Sequence, residues 1–146
     1  MSTIADAPAT TAEPILLKSV SHGIATLTLN RPKQYNALSC GMLTELQDAL
    51  DAAAKDPAVR VIVIAGNGPA FCAGHDLKEM RAANDEVFVR KLFQRCADMM
   101  LKIARLPFPV VAEVQGMATA AGCQLVAQCD LAVTAESAKF AVSGVN

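Results

Sequence analysis

The stretch Phe71-Cys72-Ala73-Gly74-His75-Asp76-Leu77-Lys78-Glu79-Met80 is the part of the sequence that decides the fold. It follows the apolar run Val61-Ile62-Val63-Ile64 after a short loop containing Gly, Asn and Pro, and it leads into a segment of helical composition. A strand, a glycine-containing turn and a helix leave backbone N–H groups unpaired at the helix start, where they can bind an anion or a developing oxyanion. The stretch therefore predicts an anion-holding turn.

The composition of the 146-residue chain is typical of one well-packed globular domain, because 53% of the residues are hydrophobic and 18% are charged. The formal net charge of −1 provides no basic field for nucleic acid or for an anionic membrane surface. No apolar stretch approaches the roughly 20 residues that span a bilayer. We therefore predict partners that are neither nucleic acid nor membrane.

The five cysteines are odd in number and form neither a CxxC pair nor a metal-binding spacing with histidine. This usage predicts reduced thiols packed as small core residues, no metal site and a cytosolic location. Residues 1–14 are rich in Ala, Thr and Pro and contain neither arginine nor an apolar segment. They predict a disordered tail rather than a secretory signal or a mitochondrial presequence.

Hydrophobic periodicity predicts a single α/β domain over residues 15–146. A hairpin is expected at 15–29 around the turn Ser21-His22-Gly23, and Ser39 is expected to cap a helix that ends at Asp56-Pro57. The β-branched run 59–65 predicts a strand buried on both faces. Further strands are predicted at 110–114, 131–134 and 139–142, and further helices at 85–106 and 124–129. Strands that alternate with helices indicate parallel βαβ units.

A second junction of small residues lies at 115–123, where Ala120-Ala121-Gly122 precedes the predicted helix. If its free N–H groups converge with those at Ala73-Gly74-His75, the two turns form a two-donor oxyanion hole. The alternative is that these small residues only allow a helix and a strand to pack closely.

Four motifs together resemble the enoyl-CoA hydratase/isomerase (crotonase) superfamily in order and spacing, from about Ile15 onward. They are Arg31-Pro32-Lys33-Gln34-Tyr35-Asn36-Ala37-Leu38; Gly68-Pro69-Ala70-Phe71-Cys72-Ala73-Gly74-His75-Asp76-Leu77; Pro107-Phe108-Pro109-Val110-Val111-Ala112 with Gln115-Gly116 and Ala121-Gly122-Cys123; and Cys129-Asp130-Leu131-Ala132. The resemblance implies a spiral of ββα turns and a coenzyme A thioester as ligand.

The resemblance also implies the roles of individual residues. The N–H groups of His75 and Ala121 are expected to bind the thioester oxygen. Coenzyme A enters as part of the substrate, and no covalently bound cofactor is expected. The loop with Arg31 and Lys33 suits a phosphorylated ligand, although it could equally be a solvated turn. The residues expected to contact coenzyme A or the acyl group are Lys33, Ala37, Ala73, Gly74, Asp76, Leu77 and Gly122.

The two acid–base positions of the hydratases depart from the family pattern. Where the hydratases carry glutamates, this chain has Gln124 and Gly144. Hydration of a double bond needs one group that deprotonates water and another that protonates carbon, and neither an amide nor a glycine exchanges a proton near neutral pH. The resemblance therefore predicts thioester binding and leaves the reaction open.

Other titratable residues offer few replacements for the two acid–base glutamates. His75 titrates near neutrality and could act through its imidazole, whereas Asp76 is typical of a helix start. Glu113 and Glu136 are expected to be surface or strand-edge charges, and His22 is expected to be a turn residue. Cys72 and Cys123 flank the junctions without a visible base partner, so buried filler is the favoured interpretation.

Three functions remain open at this stage: an acyl-CoA enzyme of the hydratase/isomerase (lyase) type, a non-catalytic acyl-CoA binder or regulator, and a structural subunit. The chain ends at Ser143-Gly144-Val145-Asn146 without a capped helix, which predicts a domain incomplete at its C-terminus. In the family the later part covers the acyl pocket and builds trimers. The resemblance therefore implies that the full-length form is a homo-oligomer, either a trimer or a dimer of trimers.

Overall fold

The computed structural model describes residues 12–142 and arranges their strands in two sheets. The strands are β1 (Leu16–Ser21), β2 (Ile24–Leu29), β3 (Val61–Gly66), β4 (Ala70–Cys72), β5 (Val110–Val114), β6 (Met117–Thr119), β7 (Leu131–Thr134) and β8 (Phe140–Ala141). The helices are α1 (Cys40–Lys55), α2 (Leu77–Ala83), α3 (Glu86–Ala104) and α4 (Ala121–Gln128), with a 3-10 turn at Pro32–Gln34. The larger sheet has the order β1-β2-β3-β5-β7 and the smaller one β4-β6-β8.

The N-terminal hairpin and the helix that follows it are both as predicted from the sequence. β1 pairs antiparallel with β2, and the turn residues His22 and Gly23 both have positive φ angles, +52° and +83°. Ser39 caps α1 by accepting a hydrogen bond from the Met42 N–H. The buried face of α1 is an apolar stripe with helical spacing: Met42, Leu43, Leu46, Ala49, Leu50 and Ala53.

β3 lies between β2 and β5 and pairs parallel with both. Ile62 and Ile64 are fully buried, whereas Val61 and Val63 are only half-buried. The prediction of a strand buried on both faces is therefore wrong for the second face. An apolar composition reports the hydrophobicity of both faces and not which face the tertiary structure covers.

After the N-terminal hairpin, the chain passes through a strand of each sheet before it enters the next helix. β3 continues into β4, and β5 continues into β6, before α2 and α4 begin. The two small-residue junctions therefore follow short strands of the smaller sheet, not the long apolar runs from which they were predicted. Strands of two or three residues are too short to show a period. This alternation is the ββα spiral that the resemblance implies.

α3 confirms the predicted long helix, but α4 begins at Ala121 rather than at residue 124. A glycine and a non-capping alanine at a helix start disfavour helix in a sequence-based prediction. Gly122 is nevertheless required there, because a Cβ on it would lie 2.1 Å from the carbonyl oxygen of Cys72. Close packing of α4 on β4 overrides the local propensity.

Two predictions fall on residues outside the described range. The predicted tail at 1–14 is described only from residue 12, and Gly144 lies beyond residue 142. Within residues 12–142 all the cysteines are free thiols, with Cys72 and Cys96 buried and Cys40, Cys123 and Cys129 half-buried. None of the four helices described above is long and apolar enough to cross a membrane.

Candidate functional site

The two small-residue junctions meet in the folded chain. Gly74 has φ +92°, and a Cβ on it would lie 3.0 Å from Ala120 Cβ and 3.2 Å from the Ala121 nitrogen. The Thr119 hydroxyl also donates to the carbonyl of Ala73 at 3.2 Å. Glycine is required at position 74 for its left-handed backbone and for the space it leaves beside the second junction.

The backbone of His75 is held on one edge by Leu38. The two residues form a parallel bridge, in which the Leu38 N–H donates to Gly74 O at 2.7 Å and the Asp76 N–H donates to Leu38 O at 3.2 Å. Successive N–H groups of an extended segment point to opposite edges. The His75 N–H therefore faces away from Leu38, and it donates to no acceptor among residues 12–142.

The N–H of Ala121 is the first of helix α4. The residue before it, Ala120, has φ +50° and ψ −125° and makes no side-chain capping hydrogen bond. The first bond of the helix runs from the Gln124 N–H to Ala120 O at 3.0 Å, so the N–H of Ala121 precedes the hydrogen-bonded ladder. Within the described range it too has no acceptor. A positive φ on alanine is strained, and it sets the direction of the helix start.

The N-terminus of α2 differs, because a carboxylate of the chain already occupies it. Asp76 accepts hydrogen bonds from the N–H groups of Lys78 and Glu79 and pairs with Arg31 at 2.9 Å. Burial alone would raise the pKa of Asp76, but the hydrogen bonds from Arg31 and the two backbone N–H groups outweigh it and lower that pKa. The expected anion-holding helix start is thus occupied by a carboxylate of the chain itself, and the unpaired N–H of His75 lies upstream of it.

The loop that contains Arg31 is tied to the first junction by a buried amide. Asn36 is fully buried; its side-chain oxygen accepts from the Arg31 N–H, and its amide nitrogen donates to the carbonyls of Asn67 and Ala70. The N–H of Ala73 donates to Tyr35 O at 3.0 Å. These bonds position residues 73–76 independently of α2 itself.

A cavity of about 670 Å³ opens beside the two free N–H groups. The segment after β4, the start of α4 and one face of α3 form its walls. Its lining residues are Ala73, His75, Leu77, Met80, Phe93, Cys96, Ala97, Ala120, Ala121 and Gln124. Five of the residues singled out from the sequence, Ala73, His75, Leu77, Ala121 and Gln124, are therefore brought together.

The imidazole of His75 projects into this mostly apolar environment. Its Nδ1 atom is buried and has no hydrogen-bond partner among the described residues. The ring packs against Phe93 with centroids 4.5 Å apart and planes inclined at 70°. Burial lowers the pKa of His75, so the imidazole is neutral at pH 7.

The remaining predicted residues lie around the cavity rather than in its lining. Lys33 is exposed in a separate surface pocket that it shares with Arg31. Ala37 is buried, and its carbonyl accepts from the Arg31 guanidinium at 2.8 Å. Gly74 and Gly122 shape the walls by close backbone contacts. Glu113 and Glu136 are exposed, as predicted, and His22 is an exposed turn residue.

The thiols near the site are poor nucleophiles. Burial raises the pKa of Cys72 to about 12 and that of Cys96 to about 11, so both are protonated at neutral pH. Residues 12–142 contain no group of three or more His, Cys, Asp or Glu side chains that could hold a metal ion. The chemistry of the site therefore depends on backbone N–H groups and on the His75 imidazole.

The contribution of α3 to the site is what sequence reasoning missed. The sequence predicted a helix at 85–106, and none of Phe93, Cys96 and Ala97 was singled out as a site residue. A signal was present, because Val89, Phe93 and Ala97 recur every four residues as a second apolar stripe beside the buried one. Phe93 remains 49% exposed, which fits a cavity wall better than a core.

Comparison with known proteins identifies the family. The family model for enoyl-CoA hydratase/isomerase matches residues 19–146. The chain belongs to the enoyl-CoA hydratase/isomerase family. Among relatives, "Enoyl-CoA hydratase domain-containing protein 3, mitochondrial" from Xenopus laevis is 46% identical over 91% of this chain and 45% of its own length. The protein of the same name from Homo sapiens is 44% identical over 85% of this chain and 41% of its own length.

The solved structures confirm the crotonase fold. The crystal structure of an enoyl-CoA hydratase from Mycobacterium smegmatis superposes with a TM-score of 0.87 and 58% identity, over 90% of this chain and 51% of that one. The chain thus spans about half the length of the proteins it matches.

The predicted cytosolic location is wrong by the same comparison. The relatives from Xenopus laevis and Homo sapiens are both named as mitochondrial proteins. Free thiols distinguish a reducing compartment from an oxidising one, and they do not distinguish among reducing compartments.

Proposed function

We propose that this chain binds an acyl-coenzyme A thioester with the thioester oxygen between the N–H groups of His75 and Ala121. The observation that carries the proposal is that two unpaired donors, the N–H groups of His75 and Ala121, line one cavity. Their two segments lie close together, because a Cβ added to Gly74 would be 3.2 Å from the Ala121 nitrogen. Two converging donors stabilise an oxyanion more than a neutral carbonyl, because the bonds strengthen as negative charge develops.

The stabilised species would be an enolate or an oxyanion formed at the thioester. The family membership supports a coenzyme A thioester as ligand. The exposed ammonium group of Lys33 is suited to a coenzyme A phosphate, and the apolar lining of Leu77, Met80 and Phe93 is suited to an acyl chain. Hydratase or isomerase chemistry is the reaction class we propose for the enzyme.

A second candidate is a non-catalytic acyl-coenzyme A binder or regulator. One observation favours it: Gln124, at the position of a hydratase glutamate, lines the cavity and has no proton to exchange near neutral pH. In that case the chain binds acyl-coenzyme A but does not turn it over. A purely structural subunit is the outcome if no thioester binds.

The test is calorimetric titration of the 146-residue chain with butyryl-coenzyme A and with its thioether analogue, S-butyl-coenzyme A, which lacks the carbonyl oxygen. We expect the thioester to bind about tenfold more tightly, as two hydrogen bonds of ordinary net strength allow. Equal affinities would contradict the oxyanion hole.

A matched pair of variants locates the donor. Ala121→Pro removes the N–H at the first helical position, where proline is well tolerated, and it should abolish the preference for the thioester. Ala121→Ser keeps the N–H and should retain it. Hydration of crotonyl-coenzyme A, measured alongside, separates the enzyme from the binder. Turnover gained by the double variant Gln124→Glu, Gly144→Glu would support the assignment of both positions.

A further inference from the structure

The cavity contains one polar ring among apolar walls. Leu77, Met80, Phe93 and Ala97 line the cavity together with His75, and the other polar side chains of the lining are the Gln124 amide and the Cys96 thiol. An apolar pocket with a few well-placed polar groups is the usual design for orienting a ligand. The side chain of His75 therefore requires a role separate from that of its backbone N–H.

The burial of Nδ1 indicates which nitrogen carries the proton. A neutral imidazole has one N–H donor and one lone-pair acceptor. Nδ1 is buried without a partner in the described part of the chain, and an orphaned buried N–H donor is rarer than an under-satisfied acceptor. The proton is therefore assigned to Nε2, on the other side of a ring that is only half-buried. Nε2–H is then available to a ligand in the cavity.

Phe93 fixes the direction of this donor. Its ring meets the imidazole edge to face, with centroids 4.5 Å apart, and such pairs restrict the orientation of both rings. The imidazole and the N–H proposed to bind the thioester oxygen belong to one residue. The imidazole can therefore reach only ligand atoms a few bonds from that carbonyl.

We propose that His75 is a specificity-determining residue whose Nε2–H donates a hydrogen bond to an oxygen acceptor near C3 of the acyl group, so that the site prefers 3-oxoacyl thioesters. The inference rests on the proposed binding of coenzyme A thioesters. A neutral donor suits a ketone oxygen, whereas a carboxylate on the acyl group would call for the charged imidazolium, which the apolar walls of this cavity disfavour.

The test compares two thioesters with equal numbers of heavy atoms, acetoacetyl-coenzyme A and isovaleryl-coenzyme A, by calorimetric titration of the full chain. The wild-type chain should prefer acetoacetyl-coenzyme A by about fivefold, as one neutral hydrogen bond allows. His75→Leu keeps the backbone N–H and removes the imidazole, so the affinity ratio should fall to about one. His75→Gln, which keeps an N–H donor, should restore the ratio at least in part.

The outcomes separate this inference from the proposed function. If both thioesters bind the wild-type chain equally, or if His75→Leu keeps the preference, the role of His75 is overturned while thioester binding stands. If neither thioester binds, the proposed function fails and the role of His75 fails with it. Because each readout is a ratio within one variant, a general loss of stability does not imitate the expected result.

Discussion

The two strand-to-helix junctions have similar small residues but different backbone chemistry. At the first, Asp76 caps α2 and pairs with Arg31, so the helix N-terminus is satisfied within the chain. At the second, Ala120 provides no side-chain cap and holds a strained backbone, with φ +50° and ψ −125°. The two donors of the site are therefore of different kinds: an N–H on an extended residue before a capped helix, and the first N–H of an uncapped one.

This difference shows that a helix N-terminus is an anion site only when its own capping group is absent. A carboxylate at the N-cap takes up the N–H groups and the positive end of the dipole. The strain at Ala120 is a cost, of the kind found where function keeps a backbone in an unfavourable conformation. Stability at the first junction and strain at the second can each be tested by substitution.

The largest effect is expected from closing the second junction with a methyl group. In Gly122→Ala the added Cβ would lie 2.1 Å from Cys72 O, so α4 must move away from β4. We expect a loss of about 4 kcal/mol in the free energy of unfolding, measured by urea denaturation. Gly41→Ala is the control, because its Cβ would meet only Ile15 Cδ1 at 3.4 Å and Ser39 Oγ at 3.8 Å. A small loss in Gly122→Ala would contradict the tight junction.

The next largest loss of stability is expected when the side-chain hydrogen bonds of Asn36, which hold the first junction, are removed. Asn36→Ala removes the hydrogen bonds to Arg31, Asn67 and Ala70 and leaves alanine at φ +54°. The expected loss is about 3 kcal/mol, measured by thermal or urea unfolding. Asn67→Ala serves as the comparison, since its side chain makes only an exposed bond to Asn30. Equal losses in both variants would rule out the special role of the buried amide.

The cap of the first junction should give a pH-dependent effect. Asp76→Asn keeps a capping side chain but loses the charge that faces Arg31, at a cost of about 2 kcal/mol at pH 7. The pKa of Asp76 is lowered in the folded chain, so its contribution is complete above the unfolded pKa of about 3.9 and is lost as the pH falls through the folded pKa. The difference between wild type and variant should therefore shrink below about pH 4.

Asp85→Asn is the matched control for this prediction. Asp85 also caps a helix, by accepting from the Val87 N–H, but it is exposed and forms no ion pair within the described residues. We expect a change within about 0.5 kcal/mol at pH 7. A pH-independent loss in Asp76→Asn would mean that Arg31 does not stabilise the carboxylate.

The smallest effect measures the strain at the second junction. Ala120→Gly should raise the free energy of unfolding by about 1 kcal/mol, because glycine adopts a positive φ without the steric cost that alanine pays there. Ala52→Gly, in α1, should lower it by a similar amount, since a helical alanine has no strain to relieve. A destabilised Ala120→Gly would show that the backbone at this junction is unstrained.

Local patterns explain why much of the fold could be predicted. The stripe from Met42 to Ala53 and the Ser39 cap define α1 within a few turns of chain, and the His22-Gly23 turn defines the hairpin. The strands β4 and β6 could not be recognised as sheet members in this way, because three residues carry no period, whereas β8 lies within the strand predicted at 139–142. Their pairing depends on residues far apart in sequence, such as Cys72 opposite Ala118.

By itself, the sequence determined the composition of both junctions, the elements with a clear period and, through four motifs in register, the family. Only the tertiary structure decided which N–H groups stay unpaired. That outcome depends on distant acceptors: Leu38 takes one edge of residues 74–76, and Asp76 with Arg31 fills the start of α2. The tertiary structure also places the Phe93 ring against the His75 imidazole. A hydrogen-bond donor stays unpaired only when no acceptor lies within its reach. Where the acceptors lie is a property of the folded chain.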